Sequence, residues 1–361
     1  TQAEDATATV NAGEATAIAI TSIDGEDQVA TFVANGDVTL TLADTAGIMT
    51  DLNVTASEAS VVTLVDNTGG LDTITGDAST TIDVADISDL DGFTITGAAG
   101  VVGAAGAITE DFTGIAATIT FDNTSSATVA DGANLVIDGT AGTVLTLDTD
   151  DGNDDVDSEA TVNVTVNEVA TTANEIVLDN NGFGADLIST LNVEFSIAQT
   201  ANAFVIDSDG EEITTNLSGD VAVTLTAADL DGELNASGLA GALTVSAHAD
   251  LLTITGGSGN DVITNVTAED TVLDGGAGSN TLVTAADNTT ATFTNFQLLN
   301  VTDGDNFVAS QLDGLSAGVV LAGADTLDLS TGGAGADSID SATLDISGLT
   351  FSDATGIVEV E

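Results

Sequence analysis

A nine-residue unit carries most of the chemistry in this sequence. Gly256-Gly-Ser-Gly-Asn-Asp-Val-Ile-Thr264 follows the pattern G-G-x-G-x-D-x-U-x, with U a large aliphatic residue, at every specified place. The next nine residues, Asn265 to Leu273, lack the glycines but read with Asp270 at place six and Val272 at place eight. After one extra residue, Asp274, the stretch Gly275 to Val283 restores the glycines, with Asn280 where the aspartate stood; Gly332 to Asp340 is a separate match containing Asp337. Six residues of such a unit make a turn that glycine permits, and three make a short strand whose aliphatic residue points into a solenoid core. Stacking aligns the turns, so an ion between them takes backbone oxygens around Gly256, Ser258, Gly275, Ala277, Gly332 and Ala334. Side-chain oxygens would come from Asp261, Asp270, Asp274, Asn280 and Asp337. An all-oxygen donor set suits calcium.

A second acidic run, Asp148 to Glu159, holds seven carboxylates in twelve residues. It misses the EF-hand spacing, because Leu147 and Thr149 fall at ligand places one and three when Gly152 stands at six. Asp148, Asp150, Asp151, Asp154 and Asp155 are candidates for a calcium loop, with a solvated acidic turn as the competing reading. Asp207 to Glu212 and Asp303 to Asp305 are weaker cases of the same kind.

Catalytic groups are scarce. His248 is the single imidazole and there is no Cys, so neither a histidine-pair metal site nor a thiol nucleophile exists. Gly314-Leu-Ser-Ala-Gly318 spells a nucleophile elbow around Ser316, but the histidine precedes the serine, against the usual order of a hydrolase triad. With no Trp or Tyr to line a sugar site, paired carboxylates give no case for glycoside hydrolysis. The expectation is that the chain is not an enzyme. Asn-x-Ser/Thr sequons and Thr-x-Thr strings arise freely from this composition.

Charge sharpens the argument. The 361 residues contain no Lys and no Arg against 59 Asp plus Glu, a formal charge of −59. Nucleic-acid binding needs cationic side chains to displace counterions, so that class of partner is excluded. A buried carboxylate here must be met by backbone N–H groups, a proton or a metal ion. Two carboxylates about 4 Å apart repel by about 4 kcal/mol at an effective dielectric of 20. Stability is therefore expected to depend on calcium.

The elements that position these groups read as strands. Hydrophobic residues make up 43% of the chain, in short runs rather than a span of 18 or more, which predicts a folded body without a transmembrane segment. Alternation is clear in Val38–Leu42, Ala117–Phe121, Thr161–Val166 and Asp220–Leu225. Asp24-Gly25, Asp131-Gly132, Asp151-Gly152, Asp209-Gly210 and Asp303-Gly304 read as tight turns. Leu42 to Leu52 and Asp83 to Leu90 have room for a turn or two of helix. The fold class expected is all-β: a parallel β-solenoid segment with β-sandwich or further solenoid domains. Cuts near residues 125 and 230 would give domains 1–125, 126–230 and 231–361. Thr1 to Val10 lacks the basic and apolar regions of a signal peptide, which predicts either earlier processing or an export signal elsewhere.

The nonapeptides resemble the repeats-in-toxin (RTX) family of secreted bacterial proteins. Leu234 to Val245, running into Leu252 to Asp261, is similar more narrowly to the RTX-bearing surface-layer proteins. That resemblance covers residues 230 to 285 and part of 332 to 340. It implies calcium-driven folding outside the cell, type I secretion through a carboxyl-terminal signal, and self-assembly into a two-dimensional lattice. The expected function is an extracellular structural protein of the cell surface whose main partner is itself. A cell-surface glycolipid or polysaccharide is a further candidate partner. The alternative is a fibre subunit or adhesin polymerised by donation of its strand-like ends, Ala6 to Ile20 and Gly356 to Val360.

Overall fold

The computed structural model describes residues 118–121, 125–129, 131–138, 143–149, 159–168, 174–179, 187–246, 251–265, 271–284 and 290–301. It also gives the backbone of further strands from Thr7–Gly13 to Ile357–Val360. The described region is all-β and has no helix. In particular, no helix here is long and apolar enough to cross a membrane.

The pairing is parallel and skips one strand at each step, as in a solenoid with two strands per coil. Thr7–Gly13 lies beside Gln28–Asn35, which lies beside Met49–Ser57, then Thr73–Thr75 and Thr94–Thr96. The interleaved strands Ala17–Thr21, Thr39–Ala43, Val61–Val65, Thr81–Asp86 and Gly100–Val102 form a second ladder of the same kind. Successive partners such as Ala17 and Thr39 are twenty-two residues apart in the chain. The spacing tightens to eighteen between Thr244 and Val262, the length of two nonapeptides. Parallel partners need a crossover, and here the crossover is the opposite strand of the same coil. Every pairing given by these ladders is solenoidal rather than sandwich-like.

Two compact units divide after Ile188. In the first, strand residues alternate inward and outward as the pleat requires: Leu145 and Leu147 are buried, as are Val162, Val164 and Val166. Leu145 stacks beside Ile176 and Leu147 beside Leu178. In the second unit the stacking gives two aliphatic columns. Leu225, Val245, Ile263, Leu282 and Leu299 are consecutive register partners, all at most 3% exposed. Leu234, Ile254, Leu273 and Phe293 form the other column. Burying such side chains is worth about 1.5–3 kcal/mol each, which makes these columns the main source of cohesion.

The strands Gln199–Gly219 and Val223–Leu239 each run through a whole coil. Residues 204–206 of the first pair with 225–227 of the second, and 212–219 pair with 231–239. The register shifts between Asp207 and Glu212. Asp209-Gly210 therefore sits in a bulged corner of continuous strand, not in the tight turn expected, because the neighbouring coil continues the ladder on both sides. Asp131-Gly132 is the turn expected, with Gly132 at φ +78°. Of the segments Leu42–Leu52 and Asp83–Leu90, expected to have room for helical turns, residues 42–43, 49–52 and 83–86 are strand instead, and the remainder lies outside the described residues. Those segments contribute to the strands Thr39–Ala43, Met49–Ser57 and Thr81–Asp86, held by partners a coil away. The position near residue 125 opens the strand Ser125–Val129, and residue 230 lies within Val223–Leu239.

Candidate functional site

The glycine turns stack as the nonapeptide spacing requires. The Gly256 N–H donates to the Asp274 carbonyl at 2.7 Å, Ala277 N–H to the Gly257 carbonyl at 2.9 Å, and Ser258 N–H to the Leu239 carbonyl at 3.0 Å. Gly275 donates to the Thr294 carbonyl at 2.9 Å. Gly276 has φ +74°, and a Cβ there would lie 2.4 Å from the Gly257 carbonyl oxygen, so only glycine permits this approach. Ile263 and Leu282, the aliphatic residues at place eight, face the core.

The middle unit is out of phase with its sequence reading. Val272 is 46% exposed while Thr271 and Leu273 are buried, and Leu273 is the register partner of Ile254. Leu273 therefore stands at place eight and Thr271 at place six, with Asp274 closing the unit at place nine. The extra residue lies upstream of Thr271 rather than at Asp274. This corrects the assignment of Asp270 to place six; Asp270 itself lies outside the described residues.

Place six carries a ladder of side-chain carbonyls. The Asp261 Oδ1 accepts the N–H of Leu243 in the preceding coil at 2.7 Å, and Oδ2 accepts that of Gly257 at 2.8 Å. The Asp261 N–H donates to Asn280 Oδ1 at 3.0 Å, and the Asn280 N–H to Gln297 Oε1 at 2.6 Å. The same step occurs in the first unit, where Thr143 N–H donates to Asn174 Oδ1 at 2.9 Å. In each case the side chain that accepts sits two residues before a buried aliphatic: Ile176, Ile263, Leu282 or Leu299. Asn174 and Gln297 were not candidates from sequence, since neither lies in a glycine-rich unit. The available signal was an amide residue two places ahead of an inward aliphatic.

Asp261 is fully buried. Burial pushes its carboxyl above the ordinary 3.8, against the lowering effect of the Leu243 and Gly257 N–H bonds. A folded carboxyl that holds its proton more tightly than the unfolded one contributes most below pH 3.8. Its contribution declines as pH rises through the folded value.

Asn280 is also fully buried. Its Nδ2 donates to the carbonyl oxygens of Asn295 at 3.0 Å and Ala277 at 3.2 Å, and lies 3.4 Å from that of Gly276. Asp274 Oδ1 accepts from Gly276 N–H at 2.9 Å and from Asn295 Nδ2 at 2.6 Å. Asn295 takes the left-handed backbone conformation, φ 61°, that presents its amide there.

Calcium takes six to eight oxygens, several of them carboxylate. Among the described residues no group of three or more His, Cys, Asp or Glu gathers as a metal site. At the Asn280 step the converging carbonyls are already met by the amide, and the residues present do not fit an ion. Around Asp261 the ladder supplies one carboxylate, each of whose oxygens accepts a backbone N–H. Gly256, Ser258, Gly275 and Ala277 are brought together in the turn stack by the hydrogen bonds above. Asp148 lies on the strand Val144–Thr149, half-buried and beside Thr128 in register. Asp150, Asp151, Asp154, Asp155, Gly332, Ala334 and Asp337 lie outside the described residues, as do His248 and Ser316.

Truncating Gln297 tests the ladder. Gln297→Ala leaves the buried N–H of Asn280 without its acceptor, an expected loss of about 1–3 kcal/mol. Gln297→Glu keeps the acceptor and should lose less than half as much. Urea unfolding followed by circular dichroism compares them; equal losses would contradict the hydrogen-bond assignment.

Compared with protein-family models, with curated proteins and with solved structures, the chain matches none.

Proposed function

We propose that this chain is an extracellular structural protein that self-assembles into a surface layer or similar ordered array, with calcium bridging its acidic faces. The observation that carries this reading is where the charge lies. The aliphatic columns fill the interior, where Asp231 and Asp261 are also buried, while Asp131, Asp138, Glu159, Asp179, Glu194, Glu211, Glu212, Asp220 and Glu233 are all exposed. With no Lys or Arg in the chain, facing copies have no cationic side chain to set against these carboxylates. Repulsion between such surfaces falls when a divalent cation is shared between them. Regular, repeating strands are suited to repeated identical contacts of this kind.

The strand-donation alternative draws less support. The segments that would be donated are paired within the chain: Thr7–Gly13 with Gln28–Asn35, Ala17–Thr21 with Thr39–Ala43, and Ile357–Val360 with Thr326–Leu329.

Sedimentation velocity of the whole chain tests the proposal. Monomer is expected in EGTA, and large species should grow as calcium rises through the millimolar range and disappear on re-chelation. A size distribution unaffected by calcium would remove the bridging mechanism.

A further inference from the structure

We propose that Asn280 is a built-in replacement for a cation: its amide nitrogen occupies the point where neighbouring backbone carbonyls converge, so the turn at 275–280 keeps its stacking on the turn at 256–261 without divalent metal. This goes beyond the assembly reading, which concerns contacts between copies.

The argument rests on both ends of one side chain. Carbonyl oxygens of Asn295, Ala277 and Gly276 lie 3.0, 3.2 and 3.4 Å from Nδ2. Three carbonyl dipoles aimed at one point repel one another unless something positive stands between them, and a hard cation or an N–H group serves that purpose. The two amide hydrogens serve it here. The other end, Oδ1, accepts the N–H of Asp261 and so fixes which way the amide faces. With Asn280 fully buried, water does not substitute for either contact.

An aspartate at this position would keep the Oδ1 bond but turn its second oxygen toward the same carbonyls. Asp261 at the equivalent place gives its second oxygen to the Gly257 N–H, but the corresponding N–H of Gly276 is already donated to Asp274 Oδ1, so an aspartate at 280 demands an ion or a proton. Residue type at 280, with Asp274 holding the Gly276 N–H, therefore decides whether this step needs metal. Asn174 and Gln297 supply the same accepting bond at place six with neutral amides. On the outer face Asn216 and Asn235 extend the device, their Nδ2 groups donating to Asn192 and Asn216 Oδ1 at 2.9 and 3.1 Å. Amide ladders of this kind link coils with no net charge and no ion.

Hydrogen–deuterium exchange of the full chain, at a concentration where sedimentation shows monomer, reads this directly. For the natural sequence, protection of the Asp261, Asn280 and Thr281 amides is expected to change less than twofold between millimolar calcium and EGTA. In Asn280→Asp the same amides should lose at least tenfold protection in EGTA and regain it with calcium. A tenfold loss on chelating the natural protein overturns the proposal, as does an Asn280→Asp chain as well protected in EGTA as the natural one. If that variant fails to fold in either buffer, the comparison on the natural chain decides. Failure of calcium-driven assembly leaves this exchange result intact, so the two readings are separable.

Discussion

Alanine at position 278 is expected to collapse the stacking of the 275–283 turn on the 256–264 turn. Gly278 has φ +100°, and a Cβ built on it would lie 1.9 Å from the carbonyl oxygen of Gly259. That neighbour is backbone in the coil beside it, so no rotamer change relieves the overlap. The conformational penalty for a side chain in this region is about 1–2 kcal/mol before any contact is counted. With the overlap added, the loss should exceed about 4 kcal/mol, a large part of the 5–15 kcal/mol that holds a typical domain. Gly132 supplies the comparison. It has a similar φ of +78° but nothing within 4 Å of its Cβ position, so Gly132→Ala should cost only about 1–2 kcal/mol. Urea unfolding by far-ultraviolet circular dichroism suits a chain without Trp or Tyr. Equal midpoint shifts for the two variants would show that close packing of the turns is not what glycine is needed for.

Phe204→Ala should be comparably damaging for a different reason. Phe195 and Phe204 meet edge to face, with centroids 5.2 Å apart and planes at 88°, and both are at most 1% exposed. Aromatics are rare in this chain, with eleven Phe in all, so most of the core is stacked aliphatics. Removing one ring leaves a cavity that the rigid ladder cannot close. The expected cost is about 3–5 kcal/mol, of which about 0.5–1.5 comes from the ring pair itself. Calorimetric or urea unfolding measures it, and a loss under about 1 kcal/mol would mean that the site collapses freely.

Much of this architecture was legible in the residues. Alternation in Val144–Thr149 and Glu159–Val166 is visible because each strand has one buried face, and parallel stacking keeps the apolar column in line. The nonapeptide pattern located the turns at Gly256 and Gly275 and the inward Ile263 and Leu282, since glycine and a large aliphatic mark opposite ends of one unit. The phase of the middle unit was not legible. Val272 and Leu273 are both apolar, and only stacking of Leu273 between Ile254 and Phe293 selects one of them. The strand at residues 49–52, read as part of a helical segment, was missed for a related reason. The partners of that segment are a coil away in the chain, beyond the reach of local periodicity. The place-six ladder was half visible. Asp261 and Asn280 lie in recognised units, whereas Asn174 and Gln297 are identified by what their side chains accept from the previous coil.

The geometry also divides the work expected of calcium. Asp261 was anticipated as a ligand, and its carboxylate oxygens each accept a backbone N–H. Asn280 meets its surrounding carbonyls with its own amide. The exposed carboxylates are where shared ions have the most repulsion to offset, because no Lys or Arg is available to offset it. On the proposed reading, calcium would serve contacts between copies, and the amide ladder contacts between coils.

Negative-stain electron microscopy of the purified chain, with millimolar calcium and after exhaustive chelation, tests that assignment most directly. Ordered arrays in calcium that disperse into single particles in EGTA, with the circular dichroism of the particles unaltered, are the predicted result. Arrays that persist unchanged after chelation, or particles that unfold when calcium is withdrawn, would contradict it.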